Sequence, residues 1–145
     1  MSLSLIVEPW LFLGSVIDAA HFEGNALCVH ESLFPPMIKR SEIRIPIAYM
    51  HSNPTRMVAQ PHQLDLCKII IHEHAATQTK LLVHCMAGVE RSPLTIVWYL
   101  MFTGLTMDQA YAFVKRKRPE VEDRRFWLDP LLVGGQDHPV QFEAP

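Results

Sequence analysis

One stretch of the chain decides its fold: LLVHCMAGVERSP, residues 81–93. Three apolar residues open it and predict a short buried strand, and its Ser-Pro pair begins an apolar segment that predicts a helix. Between them, seven residues run from a cysteine to an arginine. A loop that joins a strand to a helix N-terminus turns free backbone N–H groups toward one spot, where the helix dipole favours negative charge. The stretch therefore predicts an anion site at the end of a buried strand.

The side chains of this loop fit a phosphate ester held against a sulfur atom. We expect Cys85 to be a thiolate near neutral pH, because the loop amides and the helix dipole stabilise its charge. Gly88 permits a backbone conformation that a side chain would forbid, so the amides can form an anion nest. The planar guanidinium of Arg91 binds two phosphate oxygens at once. A buried structural cysteine is the alternative, but it has no need of this loop chemistry.

The loop resembles the signature loop of the cysteine-dependent protein tyrosine phosphatases, most closely their small dual-specificity branch, through His84, Cys85, Gly88, Arg91 and Ser92. The resemblance implies that Cys85 attacks phosphorus and forms a phosphocysteine, with no metal or cofactor. It implies that Arg91 and the loop amides stabilise the equatorial oxygens, and that Ser92 helps the thiolate to leave when water attacks. The residues that would hold the phosphate are Met86, Ala87, Gly88, Val89, Glu90 and Arg91.

Composition limits the other function classes. The chain has 145 residues, of which 49% are hydrophobic and 19% charged, so it should fold as one domain with its own core. A formal net charge of −2 gives no reason to expect nucleic acid as a partner. Three cysteines without metal-type spacing favour a reducing compartment, the cytoplasm. No apolar run reaches membrane-spanning length. The sequence does not indicate an oligomeric state.

Strands and helices alternate along the chain, which predicts an α/β domain with a mainly parallel central sheet flanked by helices, as in the tyrosine phosphatases. We expect a single phosphatase domain over residues 1–145, with a core at about 5–132 and a loosely held tail at 133–145. The predicted strands are 10–13, 26–30, 43–47 and 81–83. The predicted helices are 16–22, 61–74, one from the Ser-Pro pair to Gly104, one capped by Thr106 and Gln109, and 124–132. Residues 48–60 are expected to be irregular.

The general acid of these phosphatases is missing from its usual place. The resemblance puts an aspartate in the loop after the third strand, where it protonates the leaving oxygen and contributes roughly a hundred- to ten-thousand-fold in rate. Here no carboxylate occurs among residues 48–53. Glu90 is one substitute, since some lipid phosphatases, the myotubularins, carry an aspartate at that point of the loop. Its alternative is an ion pair with a neighbouring arginine. His51 is a second substitute, as an imidazolium. The third possibility is that no acid exists.

We therefore interpret the chain as a phosphatase for phosphorylated proteins, with phosphotyrosine first and phosphoserine or phosphothreonine next. A phosphoinositide or RNA 5′-phosphatase using the same loop, or a phosphate-binding protein without turnover, are the alternatives. Cys28 is a candidate redox partner of Cys85, with a core cysteine as its alternative. A candidate basic rim comprises Lys115, Arg116, Lys117 and Arg118 together with Arg124 and Arg125. The alternative for the first four is that they complement the dipole of the helix they end. We expect no metal site at His62, His72 and His74, because their spacing fits none of the common motifs.

Overall fold

The computed structural model describes residues 3–30, 42–52 and 55–128, and of residues 51, 52, 55 and 56 the backbone alone. The strands are β1 (Ser4–Val7), β2 (Leu11–Gly14), β3 (Asn25–Cys28), β4 (Glu42–Arg44), β5 (Ala48–Ser52), β6 (Thr55–Ala59) and β7 (Leu81–His84). The helices are α1 (Val16–His21), α2 (Pro61–Thr77), α3 (Arg91–Phe102) and α4 (Met107–Lys117), followed by a 3₁₀ turn at Arg125–Trp127.

The described strands form a five-stranded sheet in the order β1-β2-β7-β3-β4 and a separate β5-β6 hairpin. β1 runs antiparallel to β2, whereas β2, β7, β3 and β4 are mutually parallel. The predicted fold class, an α/β domain with a mainly parallel sheet and flanking helices, is thereby confirmed. β7 lies at the centre of the sheet with all four residues buried. The loop that follows it consequently starts from the most rigid part of the fold.

Side chains of β7 alternate between two apolar layers, which is the period expected of a strand. Leu81 and Val83 belong to the main core, together with apolar residues of α2, α3 and α4. Leu82 packs instead with Ala19 and Phe22, in and just after α1, on the other face. Helices thus cover both faces of the sheet, as a buried parallel sheet requires.

The helix ends follow the sequence closely. α3 is buried on most sides and ends just before Gly104, which has a φ of 118° that favours glycine. The capping box of Thr106 and Gln109 is present at the start of α4. No helix in residues 3–30, 42–52 and 55–128 is both long and apolar enough to span a bilayer.

Four expectations differ from the structure. Strand β1 was not predicted, because four residues at the edge of the sheet, paired with β2 alone, carry a weak pattern. Residues 48–60 contain the β5-β6 hairpin rather than irregular chain. The third predicted strand ends at Arg44, before Pro46, which cannot donate to a ladder. The last predicted helix is a single 3₁₀ turn over Arg125–Trp127 as far as the described residues reach; its continuation to 132, like the tail 133–145, lies outside them.

Candidate active site

The loop between β7 and α3 brings Cys85 and Ser92 together. Cys85 is buried with an exposed fraction of 3%, and its Sγ lies 3.2 Å from Ser92 Oγ. Ser92 is the second residue of α3 and is fully buried. A hydroxyl can donate a hydrogen bond to sulfur or accept one from a thiol, so Ser92 is within hydrogen-bond distance of Cys85 Sγ in either case. The sulfur therefore lies at the N-terminal end of a helix, next to a hydrogen-bond donor.

The loop amides are turned inward because the loop carbonyls are bound from outside. Four consecutive carbonyls accept hydrogen bonds from elements that surround the loop. These bonds run from Val16 N to Met86 O at 3.0 Å, Arg118 Nη2 to Ala87 O at 3.3 Å, Arg118 Nε to Gly88 O at 2.9 Å, and Glu122 N to Val89 O at 3.0 Å. In a trans peptide the N–H points opposite to the C=O. The N–H groups that follow these carbonyls are thus left for an anion on the inner side.

Gly88 is required by this arrangement. Its φ is 72°, in the region that side chains rarely adopt. A Cβ atom at this position would lie 2.4 Å from Gly14 O and 3.0 Å from Arg118 Nη2. The loop can therefore approach the end of β2 and receive the Arg118 guanidinium only with glycine here.

Arg91 is the first residue of α3, and its guanidinium is held over an aromatic ring. Its Cζ lies 5.5 Å from the ring centroid of Trp127, and its Nη1 lies 3.8 Å from Glu90 Oε1. A cation over the face of tryptophan is attracted by the ring quadrupole. Trp127 therefore helps to orient the arginine that the sequence predicts as the phosphate ligand.

Glu90 is paired with Arg124. Its Oε2 accepts hydrogen bonds from Arg124 Nη2 at 2.6 Å and Arg124 Nε at 3.1 Å, and Arg124 also contacts Glu122. Hydrogen bonding to Glu90 raises the pKa of Arg124 above its ordinary value. This geometry corresponds to the ion-paired alternative for Glu90, in which the carboxylate accepts hydrogen bonds from a neighbouring arginine. Arg125 is similarly paired with Asp108 and Asp123, at 2.7 and 2.8 Å. Two members of the candidate basic rim, Arg124 and Arg125, are consequently paired with carboxylates, whereas Lys115, Arg116 and Lys117 are exposed.

The other candidate acid, His51, belongs to strand β5, where its backbone pairs with that of Arg56. Its side chain lies outside the described part of the structure. Its role as an acid stays a prediction.

His84, the residue before the cysteine, is at the centre of a buried polar network. Its Nε2 lies 3.2 Å from Glu42 Oε1, and its Nδ1 lies 3.4 Å from the Cys85 carbonyl oxygen. Arg44 Nε donates to the other Glu42 oxygen at 2.7 Å. Burial lowers the pKa of His84, with the Glu42 carboxylate acting in the opposite direction. This network ties the end of β7 to β4.

Cys28, the candidate redox partner, lies at the end of β3 and is buried with an exposed fraction of 2%. It pairs in register with His84 and is a free thiol, as are Cys85 and Cys67. Burial raises its pKa, and a hydrogen bond from the His30 N–H opposes that effect. The structure thus places Cys28 beside the residue that precedes Cys85.

Three residues of the site were missed as functional from the sequence. One local pattern marks Arg118, because an arginine stands directly before the proline that follows a helix. That pattern does not indicate that the side chain contacts the loop. No local pattern marks Glu42 or Trp127. Glu42 reaches the site through the pairing of strands, and Trp127 reaches it from a turn that is distant in sequence from the loop.

The sequence profile described as "Dual specificity phosphatase, catalytic domain" matches residues 15–131. Dual specificity protein phosphatase 22-B of Danio rerio is 32% identical over 121 residues, which cover 78% of this chain and 63% of that protein. Dual specificity protein phosphatase Mpk3 of Drosophila melanogaster is 38% identical over 63 residues, 43% of this chain and 15% of that protein. The chain thus spans only part of the length of these relatives. The crystal structure of human DUSP28 superposes with a TM-score of 0.66 at 26% identity, covering 86% of each chain.

Proposed function

The chain belongs to the dual specificity phosphatase family, and we propose that it hydrolyses phosphate monoesters of proteins through a phosphocysteine intermediate. One observation carries the proposal. Cys85 Sγ lies 3.2 Å from Ser92 Oγ at the start of α3, in a loop whose four outward carbonyls are all hydrogen-bonded elsewhere. This arrangement supports the proposal that the sulfur, the inward amides and the Arg91 guanidinium bind one phosphate.

The chemistry follows from this arrangement. The Cys85 thiolate attacks phosphorus, the ester oxygen leaves, and a sulfur–phosphorus bond forms. The amides from 87 to 90 and the Arg91 guanidinium stabilise the charge on the equatorial oxygens, in a loop that is already in place before the reaction. Water then attacks the phosphocysteine, and the Ser92 hydroxyl donates a hydrogen bond to the departing sulfur, releasing phosphate and restoring the thiolate.

The leaving group decides the substrate class. Residues 48–53 carry no carboxylate, and Glu90 is engaged by Arg124. Without an efficient proton donor the reaction favours an oxygen that leaves easily as an anion. The phenol of tyrosine has a pKa of about 10, far below that of the serine or threonine hydroxyl. We therefore place phosphotyrosine in proteins first among the substrates, and phosphoserine and phosphothreonine second.

The proposal also includes the boundaries of the phosphatase domain and the cellular compartment in which it acts. We assign the phosphatase to a single domain with its core at about 5–132, of which the family profile covers 15–131. The three cysteines are free thiols, which suits a reducing compartment such as the cytoplasm.

The intermediate provides the direct test. Wild-type protein mixed with a radiolabelled aryl phosphate and quenched in acid within a turnover should carry label on a peptide that contains Cys85, and steady-state hydrolysis should release inorganic phosphate. Label on a histidine, or on neither residue while phosphate is released, would contradict the phosphocysteine.

Glu90→Gln should change kcat/KM by less than about threefold on both an aryl and an alkyl phosphate, because the side chain is held by Arg124 and does not act as the acid. Steady-state rates on both substrates measure this. Glu122→Gln is the matched control, since it removes the other carboxylate on Arg124. A loss of a hundredfold or more confined to the alkyl substrate would instead identify Glu90 as the general acid.

A second function is favoured by the same two observations, the absent aspartate and the paired Glu90. The loop would then bind phosphorylated partners without turning them over. Binding of a phosphotyrosine peptide to the wild-type protein, with no phosphate released over hours and no trapped label, is the result that supports this function.

A further inference from the structure

Three strands of the sheet bring a thiol, a carboxylate and an imidazole together behind the loop. Cys28 ends β3, Glu42 begins β4 and His84 ends β7. One potential ligand atom from each lies within 4.8 Å of the others, and all three residues are buried. We propose that Cys28, Glu42 and His84 form a binding site for a soft divalent cation, with Zn²⁺ as the ion that this ligand set favours. The site is separate from the phosphate position and has no part in the hydrolysis proposed above.

The ligand set determines the class of ion. Thiolate and imidazole are ligands for zinc and similar transition metals, whereas Mg²⁺ and Ca²⁺ prefer oxygen alone. A thiolate and a carboxylate together carry two negative charges, of which Arg44 already offsets one, so a divalent ion leaves the cluster with one positive charge. Three protein ligands leave a fourth position for water or another group.

The distances are close to those of a tetrahedral site. Zinc–nitrogen and zinc–oxygen bonds of about 2.0–2.1 Å imply a ligand–ligand separation of roughly 3.3 Å, and zinc–sulfur bonds of about 2.3 Å imply roughly 3.6 Å. Glu42 Oε1 and His84 Nε2 are already 3.2 Å apart. With all separations at most 4.8 Å, Cys28 needs to approach the other two by about 1 Å at most.

Each ligand also has a second partner that orients it. The His30 N–H donates to Cys28 and favours its thiolate. Arg44 Nε binds Glu42 Oε2 and leaves Oε1 for the ion. His84 Nδ1 faces the Cys85 carbonyl, so a proton on Nδ1 leaves the Nε2 lone pair for the ion. Metal ligands in proteins are oriented by partners of this kind.

Proton balance on binding is simple. Burial raises the pKa of Cys28 and lowers that of His84, so the cluster starts with a thiol and a neutral imidazole. The ion displaces the thiol proton to solvent and binds the Nε2 lone pair of the imidazole tautomer that carries its proton on Nδ1, toward the Cys85 carbonyl.

Cobalt provides the test, because a Co²⁺–thiolate bond gives a charge-transfer band in the near ultraviolet. Full-length Cys85→Ser protein titrated with Co²⁺ should develop this band to one equivalent, and Zn²⁺ should abolish it. Cys28→Ala in the same background should remove the band. Cys67→Ala is the matched control and should keep it, because Cys67 is a buried thiol of α2 whose pKa burial raises to about 12.

A second variant covers the case in which Cys28→Ala fails to fold. Glu42→Gln should keep the band but weaken Co²⁺ binding by at least about tenfold. Zn²⁺ should raise the Tm of the Cys85→Ser protein, and raise it less in the Glu42→Gln variant. A band that survives in a folded Cys28→Ala variant, or that needs Cys85, overturns the site. Absence of any band at millimolar Co²⁺ does so as well.

Discussion

Replacing Cys85 by serine should abolish hydrolysis of an aryl phosphate, with kcat lowered by about 10⁴-fold or more. The substitution removes one polarisable nucleophile and puts in its place a hydroxyl that stays protonated at neutral pH, with no base in the loop to activate it. The binding groups are unchanged, since the Arg91 guanidinium and the loop amides do not involve the sulfur. Inorganic phosphate should therefore bind the variant with a Kd within about tenfold of the wild-type value. Steady-state kinetics and calorimetric phosphate titration measure the two quantities.

The matched control for that result is Cys67→Ser. Cys67 is fully buried in the main core on α2. Its replacement by serine should lower the stability of the fold but leave kcat within about twofold of the wild-type value. A Cys85→Ser variant that retains more than about one per cent of the turnover would contradict nucleophilic attack by Cys85. Loss of phosphate binding along with turnover would show that the loop depends on the sulfur for its shape.

Local patterns explain why most of the fold was predictable. The central strand β7 is a continuous apolar run, α3 is apolar on most sides, and α4 begins with a capping box, so each carries its own signal. The β5-β6 hairpin carries little. Its strands mix polar with apolar residues, and Tyr49 and Met50 are both exposed, so no clean alternation marks it. Strands of that kind are defined by their partners more than by their own side chains.

The same distinction applies to the site. Cys85, Gly88, Arg91 and Ser92 lie within one short loop and helix start, and their spacing together with the flanking strand and helix signals predicted a sulfur and a guanidinium at one helix N-terminus. Glu42 reaches His84 across 42 positions of sequence and two strand pairings. Its contact depends on which strands are neighbours in the sheet, which no local spacing encodes. The same holds for the cluster with Cys28, whose three members come from three strands.

Arg118 shows best how a distant residue determines the loop, and its replacement by methionine should lower kcat/KM by about a hundredfold. Its side chain is fully buried and donates to Gly88 O, to Ala87 O and to Ser4 Oγ at 3.0 Å. Methionine fills similar space but leaves two buried carbonyls without these donors, at a cost of about 1–3 kcal/mol each. The carbonyls are then free to turn, and their turning would point the following amides away from the phosphate.

The control variant is Arg116→Met, because Arg116 lies in the last turn of the same helix but is exposed. It should keep kcat/KM within about twofold. Circular dichroism and thermal melting separate loss of fold from loss of function, and the inhibition constant of inorganic phosphate reports on the amides directly. Arg118→Lys should fall between the two, since one ammonium cannot span two carbonyls as a guanidinium does. If a folded Arg118→Met variant binds phosphate as tightly as the wild type, the hydrogen bonds from Arg118 to the loop carbonyls are not what keeps the loop amides turned inward.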